Sequence, residues 1–137
     1  MKAYLTRRYH FPASHRLQCD ALSDAENRSI YGKCNHPHGH GHNYKLSVTV
    51  SGQVDDRTGM VCNLTDLDGF VQREVLERFD HQNLNTLPEF KGQVPTTEAL
   101  CIEVEDILRR GFRAAQVEHI RMEETRKNSF EIGRDTR

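Results

Sequence analysis

Cys34-Asn35-His36-Pro37-His38-Gly39-His40-Gly41-His42-Asn43-Tyr44 is the stretch on which the reading of this chain turns. Four of the protein's eight histidines fall between His36 and His42. The run that follows alternates, with His40, His42, Tyr44, Leu46, Val48 and Val50 at even positions and Gly41, Asn43, Lys45, Ser47 and Thr49 at odd ones. Strand side chains alternate faces, so two imidazoles leave the same face as an apolar row. Same-face neighbours lie about 6.6–6.8 Å apart. Two histidines can converge across that gap on a metal with M–N bonds of about 2.0–2.1 Å. The stretch therefore reads as half of a metal site.

Working outward, the N-terminal residues 2–11 have strand composition, with Ala3, Leu5, Tyr9 and Phe11 in one phase. Pro12 is expected to interrupt that strand just before His15. Ser23-Asp24-Ala25-Glu26 has the form of a capping box and allows one short helix in an otherwise polar run. After the central strand, 41–53, the turn chemistry of 54–59 and the run Met60 to Leu64 predict a hairpin. Leu67, Phe70, Val71, Val75 and Phe79 predict an amphipathic helix over 66–79. A second helix starts at Thr96-Thr97-Glu98 and stops near Gly111. Val117 to Glu124 and Ser129 to Ile132 read as strands. Strands joined by hairpins, with the helices grouped between them, suit an α+β fold: an antiparallel sheet covered on one face by helices.

The 137 residues fit one domain, 1–137, long enough to bury a core without staples. Net charge is −1, so charge alone offers no basis for nucleic-acid binding. No apolar run approaches the roughly 18 residues of a membrane span. No signal-peptide core follows the charged N-terminus, and Cys19, Cys34, Cys62 and Cys101 lack paired spacing. A reducing, cytoplasmic setting is expected.

A third metal ligand must come from outside the His40/His42 pair. His15 shares the odd phase of the first strand; His36 and His38 are nearer, but Pro37 and Gly39 disturb strand geometry there; His10, His81 and His119 remain. Three histidines would leave an open position, as catalytic zinc requires. Cys34 could be a fourth ligand, a base beside a metal, or an inert thiol. Asp80-His81 could be an acid/base pair, or a histidine favoured at a helix C-terminus by the macrodipole. Glu124 shares a strand face with Ile120 and Met122, where a carboxylate is costly unless paired. It could receive a ligand's N–H groups or form a salt bridge.

Several segments together resemble the 6-pyruvoyl-tetrahydropterin and 6-carboxy-tetrahydropterin synthase family. They are Phe11-Pro12-Ala13-Ser14-His15-Arg16-Leu17, Gly32-Lys33-Cys34-Asn35 through Gly39-His40-Gly41-His42-Asn43-Tyr44, and Thr58-Gly59-Met60-Val61 through Asn63-Leu64-Thr65-Asp66-Leu67. Asp80-His81-Gln82-Asn83-Leu84-Asn85, Pro95-Thr96-Thr97-Glu98, and Glu124-Thr125 with Asn128 follow in family order. The resemblance implies a four-stranded antiparallel sheet with two helices on one face (the tunnelling fold, or T-fold). It implies trimers that close a barrel, paired into homohexamers with sites at subunit interfaces. It also implies Zn²⁺ on His15, His40 and His42, Cys34 as general base with Asp80 and His81 as acid/base partners, and Glu124 anchoring a pterin with help from Thr96, Thr97 and Glu98. The implied substrate is 7,8-dihydroneopterin triphosphate, which loses triphosphate.

Two features bear on the choice within the family. His36 and His38 stand where the family commonly has asparagines. The six-residue step from Cys34 to His40 and the long 19–33 segment look like the pyruvoyl synthases rather than the carboxy synthases of the queuosine pathway. A non-catalytic zinc module is the rival of another class, and it would need Cys34 as a ligand.

Overall fold

A computed structural model of the chain describes residues 1–133; residues 134–137, the end of the expected domain, lie outside the described residues. Strand β1 (Lys2–His15) is followed by helix α1 (Asp24–Tyr31), a 3₁₀ turn (Gly32–Asn35) and strand β2 (His40–Gln53). Helix α2 is continuous over 64–79 but changes pitch: Leu64–Val71 is α-helical, Gln72–Leu76 is a π-helical turn, and Glu77–Phe79 is α-helical again. Helix α3 (Thr97–Gly111) and strands β3 (Gln116–Thr125) and β4 (Asn128–Gly133) complete the described chain. The four strands form one antiparallel sheet in the order β1-β2-β3-β4.

β2 lies inside that sheet, and its sequence explains why. Tyr44, Leu46, Val48 and Val50 are fully buried beneath the helices, whereas Lys45 on the opposite face is exposed. Phe11 and Ala13 of β1 and Val117, Ile120 and Met122 of β3 continue the same buried layer. A one-residue register slip would turn this whole apolar row to the other face, so burial fixes the register. β1 pairs with β2 without a break from Lys2↔Gln53 to His15↔His40.

The helices cover the layer through spaced apolar residues. In α2, Leu67, Val71, Val75 and Phe79 are all fully buried at four-residue intervals. In a regular α-helix each such step drifts by about 40°, so three steps would carry Phe79 well off the face of Leu67. The wider π turn in their midst takes up that drift. Asn63 caps α2 by accepting the Thr65 N–H at 2.9 Å. α2 is also tied to β1: Arg7 donates two hydrogen bonds to Asp68, at 3.0 and 2.8 Å, and the Tyr9 hydroxyl donates a third at 2.7 Å. In α3 the Thr96 hydroxyl accepts the Ala99 N–H at 3.0 Å, and Leu100, Cys101, Val104 and Leu108 face the sheet. Glu105, fully buried on that face, is matched by Arg109 at 2.8 Å, as a buried carboxylate requires.

Two expectations are corrected. The hairpin predicted over 54–64 does not form: residues 54–63 are turn and loop, and β2 already has β1 and β3 on its two edges. The sheet therefore has one strand fewer than the element order read from the sequence alone; Cys62 serves instead as a buried core residue. Nor does Pro12 interrupt β1. β1 is an edge strand, where a missing N–H need not break a ladder. The free side of β1 is met there by the chain after α2, with His81 N–H donating to Pro12 O at 2.7 Å and Ser14 N–H to Gln82 O at 3.0 Å. The capping-box helix is present, with Ser23 and Glu26 bonding reciprocally.

Leu46 tests the core argument. Leu46→Ala should lower the unfolding free energy by about 2–5 kcal/mol, the range for a leucine removed from a close-packed core. Lys45→Ala, one residue away on the open face, should stay within about 0.5 kcal/mol. Urea denaturation followed by circular dichroism reads both.

Candidate metal centre and active site

The site lies at the end of the sheet where β1 leaves and β2 enters. The antiparallel register sets His15 opposite His40 and Ala13 opposite His42, so all three histidines stand on the core-facing side. Glu124 reaches the same point from the end of β3, and Cys34 from the 3₁₀ turn. The inner atoms of His15, Cys34, His42 and Glu124 all lie within 4.8 Å of one another. His40 is outside this innermost group; its ring stands edge-on to that of His42, centroids 4.8 Å apart, and its side chain is exposed.

Each inner residue is held by its surroundings. His15 is buried, and its Nδ1 lies 2.9 Å from the Pro95 carbonyl. A carbonyl can only accept, so Nδ1 carries the proton and Nε2 presents its lone pair to the cluster. Burial lowers the His15 pKa and keeps the ring neutral. A carbonyl accepting from the outer N–H of a histidine is the arrangement that orients metal-binding imidazoles.

Cys34 is fixed through its backbone and its neighbour. Its carbonyl accepts the Leu17 N–H at 2.7 Å, while the buried Asn35 amide donates to Leu17 O and Gln18 Oε1, both at 2.7 Å. Gly39 closes the loop: its φ is +79°, and a Cβ there would stand 2.9 Å from the His15 carbonyl oxygen. Only glycine satisfies both the left-handed backbone and the close approach.

His42 Nε2 is the crowded atom. It lies 2.8 Å from Glu124 Oε1, 3.1 Å from His15 Nε2 and 3.7 Å from Cys34 Sγ. A lone pair, a carboxylate and a sulfur thus converge on one position. A single proton on His42 reconciles them in the metal-free chain, and a cation can take its place. Nitrogen, sulfur and oxygen donors suit a borderline ion such as Zn²⁺. The residues present fit a metal.

Glu124 is held on three sides: by His42, by the Thr97 hydroxyl, which donates to Oε2, and by the Asn128 amide at 3.3 Å. The His42 hydrogen bond leads in pulling its pKa down to about 2, against the opposing effect of burial. Cys34 moves the other way, because burial and then the Glu124 charge raise its thiol pKa.

Of the remaining expected site residues, Thr96 spends its hydroxyl on the α3 cap and Glu98 sits exposed in the first turn of that helix. Asp80 and His81 form their own pair at 2.8 Å on the outer edge of β1, with the His81 side chain 76% exposed. They are not among the four converging residues, although His81 lines a cavity with His42, and His81 has φ 59°, a left-handed conformation uncommon for a residue other than glycine. His36 and His38 are exposed and face each other, ring centroids 5.7 Å apart, away from the inner group. Sequence reasoning missed Pro95 and Asn35. Pro95 acts through a carbonyl that any residue could supply, so no side-chain signal exists. Asn35 sits beside Cys34 in the quoted stretch, and its side chain is a recognisable loop-fixing amide.

An α+β sheet with histidines, a thiol and a carboxylate gathered at the mouth of two antiparallel strands defines a metalloenzyme-like domain. The family model described as 6-pyruvoyl tetrahydropterin synthase matches residues 4–135, and the chain belongs to that family. It is 47% identical over 126 residues to the 6-pyruvoyl tetrahydrobiopterin synthase of Poecilia reticulata, covering 91% of this chain and 86% of that protein. The human protein of the same name is 42% identical over 128 residues, covering 93% and 88%. Among solved structures, that of Caenorhabditis elegans 6-pyruvoyl tetrahydropterin synthase superposes with a TM-score of 0.90 at 37% identity, covering 97% of this chain and 96% of that one. A Plasmodium vivax 6-pyruvoyltetrahydropterin synthase at 15% identity and TM-score 0.68, covering 98% of each chain, shares the fold.

The depressed Glu124 pKa has a stability consequence in the metal-free protein. A carboxyl held lower in the folded state stabilises it above the unfolded value of 4.5, and that contribution is lost as pH falls through about 2. Glu124→Gln should therefore flatten the acid limb of the stability curve between pH 4.5 and 2. Urea midpoints for both chains across that range check this; identical limbs would contradict it.

Proposed function

We propose that the chain is a zinc-dependent 6-pyruvoyl-tetrahydropterin synthase, converting 7,8-dihydroneopterin triphosphate to 6-pyruvoyl-tetrahydropterin with elimination of triphosphate. One observation carries this reading beyond family membership: Cys34 Sγ stands 3.7 Å from His42 Nε2 and 4.0 Å from Glu124 Oε1. A thiol base, a metal-binding imidazole and a pterin-binding carboxylate thus share one point. Relatives named for this synthase, at 42–47% identity, support the same choice over the carboxy synthase.

His15 and His42, joined by His40 beside them, would hold the ion. Bound Zn²⁺ supplies Lewis acidity toward side-chain oxygens of the substrate and positive charge that favours the Cys34 thiolate. Glu124, ionised and steadied by Thr97, receives the pterin's N–H donors and fixes the ring, with Thr96 and Glu98 flanking Thr97 in the chain. Cys34 takes a proton from the substrate side chain. His81, paired with Asp80 at 2.8 Å, exchanges a second, and triphosphate departs with its bonding electrons. The remaining change is an internal redox isomerisation, so no external oxidant is consumed.

The whole chain, 1–137, acts as one domain. A homohexamer with active sites at subunit interfaces accommodates an acid/base pair that lies outside its own chain's cluster. A reducing, cytoplasmic setting suits the four free cysteines.

The test is incubation of the zinc-loaded protein with 7,8-dihydroneopterin triphosphate and mass spectrometry of the products. 6-Pyruvoyl-tetrahydropterin with stoichiometric triphosphate is expected; 6-carboxy-tetrahydropterin as main product would overturn the assignment. Cys34→Ala should keep its zinc and lose about 10²-fold or more in kcat, as for a missing general base. Loss of zinc in that variant would make Cys34 a ligand instead.

A further inference from the structure

Tyr44 follows His42 on the same face of β2, ring centroids 5.7 Å apart, and has no task in the reaction assigned above. It is fully buried, and its ring stacks on that of Phe11 with centroids 5.5 Å apart. A buried phenol needs partners for its polar end. The Tyr44 hydroxyl lies 3.3 Å from His15 Nδ1 and is hydrogen-bonded to the Thr97 side chain. His15 and Thr97 are themselves buried, so bulk solvent supplies none of these bonds.

The few protons available fix the direction of the bonds. His15 Nδ1 spends its proton toward Pro95 O at 2.9 Å, so it has no lone pair to offer and Tyr44 cannot donate to it. Thr97 has one hydroxyl proton, and Glu124 Oε2 receives it. The Thr97 oxygen therefore meets Tyr44 as an acceptor, and the phenol proton lies between the two. Burial, and then the Glu124 charge, push the Tyr44 pKa up, so the phenol keeps that proton. The bonds run one way, from the outer nitrogen of His15 past Tyr44 to Thr97, and from Thr97 to the carboxylate.

Thr97 gains most from this partner. It is the first residue of α3. A threonine in a helix divides between two χ1 rotamers, because its hydroxyl can also bond a carbonyl of the preceding turn. A donor at the Thr97 oxygen favours the rotamer whose proton faces Glu124, and linked hydrogen bonds in a buried site strengthen one another.

We propose that Tyr44 is a positioning residue for the assigned reaction: its hydroxyl holds Thr97 toward Glu124 while bearing on the outer nitrogen of His15. One buried group thus sets both the pterin-binding carboxylate and a candidate metal ligand. The effect on substrate rests on the reaction assigned above; the effect on Thr97 rests on the hydrogen bonds alone.

Tyr44→Phe removes the hydroxyl and keeps the ring against Phe11. The variant should hold as much zinc as the parent. Its KM for 7,8-dihydroneopterin triphosphate should rise about tenfold, the scale on which lost outer partners of site residues are felt, while kcat moves less than about threefold. Thr97→Val alone should raise KM at least as far, and Tyr44→Phe in that background should add nothing, as a group acting through Thr97 requires. Tyr9→Phe, which removes a hydroxyl bonded to Asp68 instead, should leave KM as in the parent. Methyl spectra of the metal-free protein labelled with ¹³C-threonine read Thr97 without turnover: a single rotamer is expected in the parent and averaging over two in Tyr44→Phe. An unchanged KM in Tyr44→Phe, the same rise in both backgrounds, or an equal rise in Tyr9→Phe overturns the positioning role and leaves the reaction standing. A parent that does not turn over the substrate overturns the reaction; the rotamer change then still upholds the hold of Tyr44 on Thr97, and an unchanged Thr97 signal overturns it.

Discussion

The pairing of β1 with β2 is the interaction on which the rest of the molecule depends. Its register is fixed by burial: Phe11 and Ala13 on one strand and Tyr44, Leu46, Val48 and Val50 on the other must face the helices together. The same register, carried to the end of the ladder, sets His15 opposite His40 and brings His42 to the same face. Hydrophobic burial thereby positions the candidate metal ligands. The polar site adds two long-range constraints of its own, the Pro95 carbonyl on His15 and the Thr97 hydroxyl on Glu124. Both come from the chain entering α3, so the helix that covers the core also orients the chemistry.

The site is built so that opposing electrostatic demands meet at His42. Glu124 is made more acidic by its hydrogen bonds, while the Cys34 thiol is made less acidic by burial and by that same carboxylate. In the metal-free chain the carboxylate accepts a hydrogen bond from His42. A cation bound there would relieve the competition by offering every donor a common partner. Positive charge there would also offset the rise in the thiol pKa of the half-buried Cys34.

Much of this was legible in the sequence because it depends on period and local chemistry. Alternation from His40 to Val50 fixed both the strand and the facing of its histidines, and the shared phase of Ile120, Met122 and Glu124 placed the glutamate toward the interior. Ser23 and Glu26 announced α1 by a local, reciprocal hydrogen bond. What was not legible depended on distant partners. The run 60–64 has strand composition, but no sheet edge was free to receive it. Pro12 reads as a strand breaker until the strand is known to lie at an edge. Convergence on His42 joins residues up to 90 positions apart, a relation with no local signature. Family resemblance supplied the choice of His15, which spacing left open among several histidines.

The chain after α2 is strapped to the outer side of β1 by the bonds from His81 N–H to Pro12 O and from Ser14 N–H to Gln82 O. β1 therefore works as a single bar, carrying His15 on its inner face and the Asp80–His81 pair along its flank. A tilt or slide of this bar against β2 moves both together. The placement of His81 relative to His15 is accordingly set through β1, three residues of backbone separating the two points of attachment at Pro12 and His15.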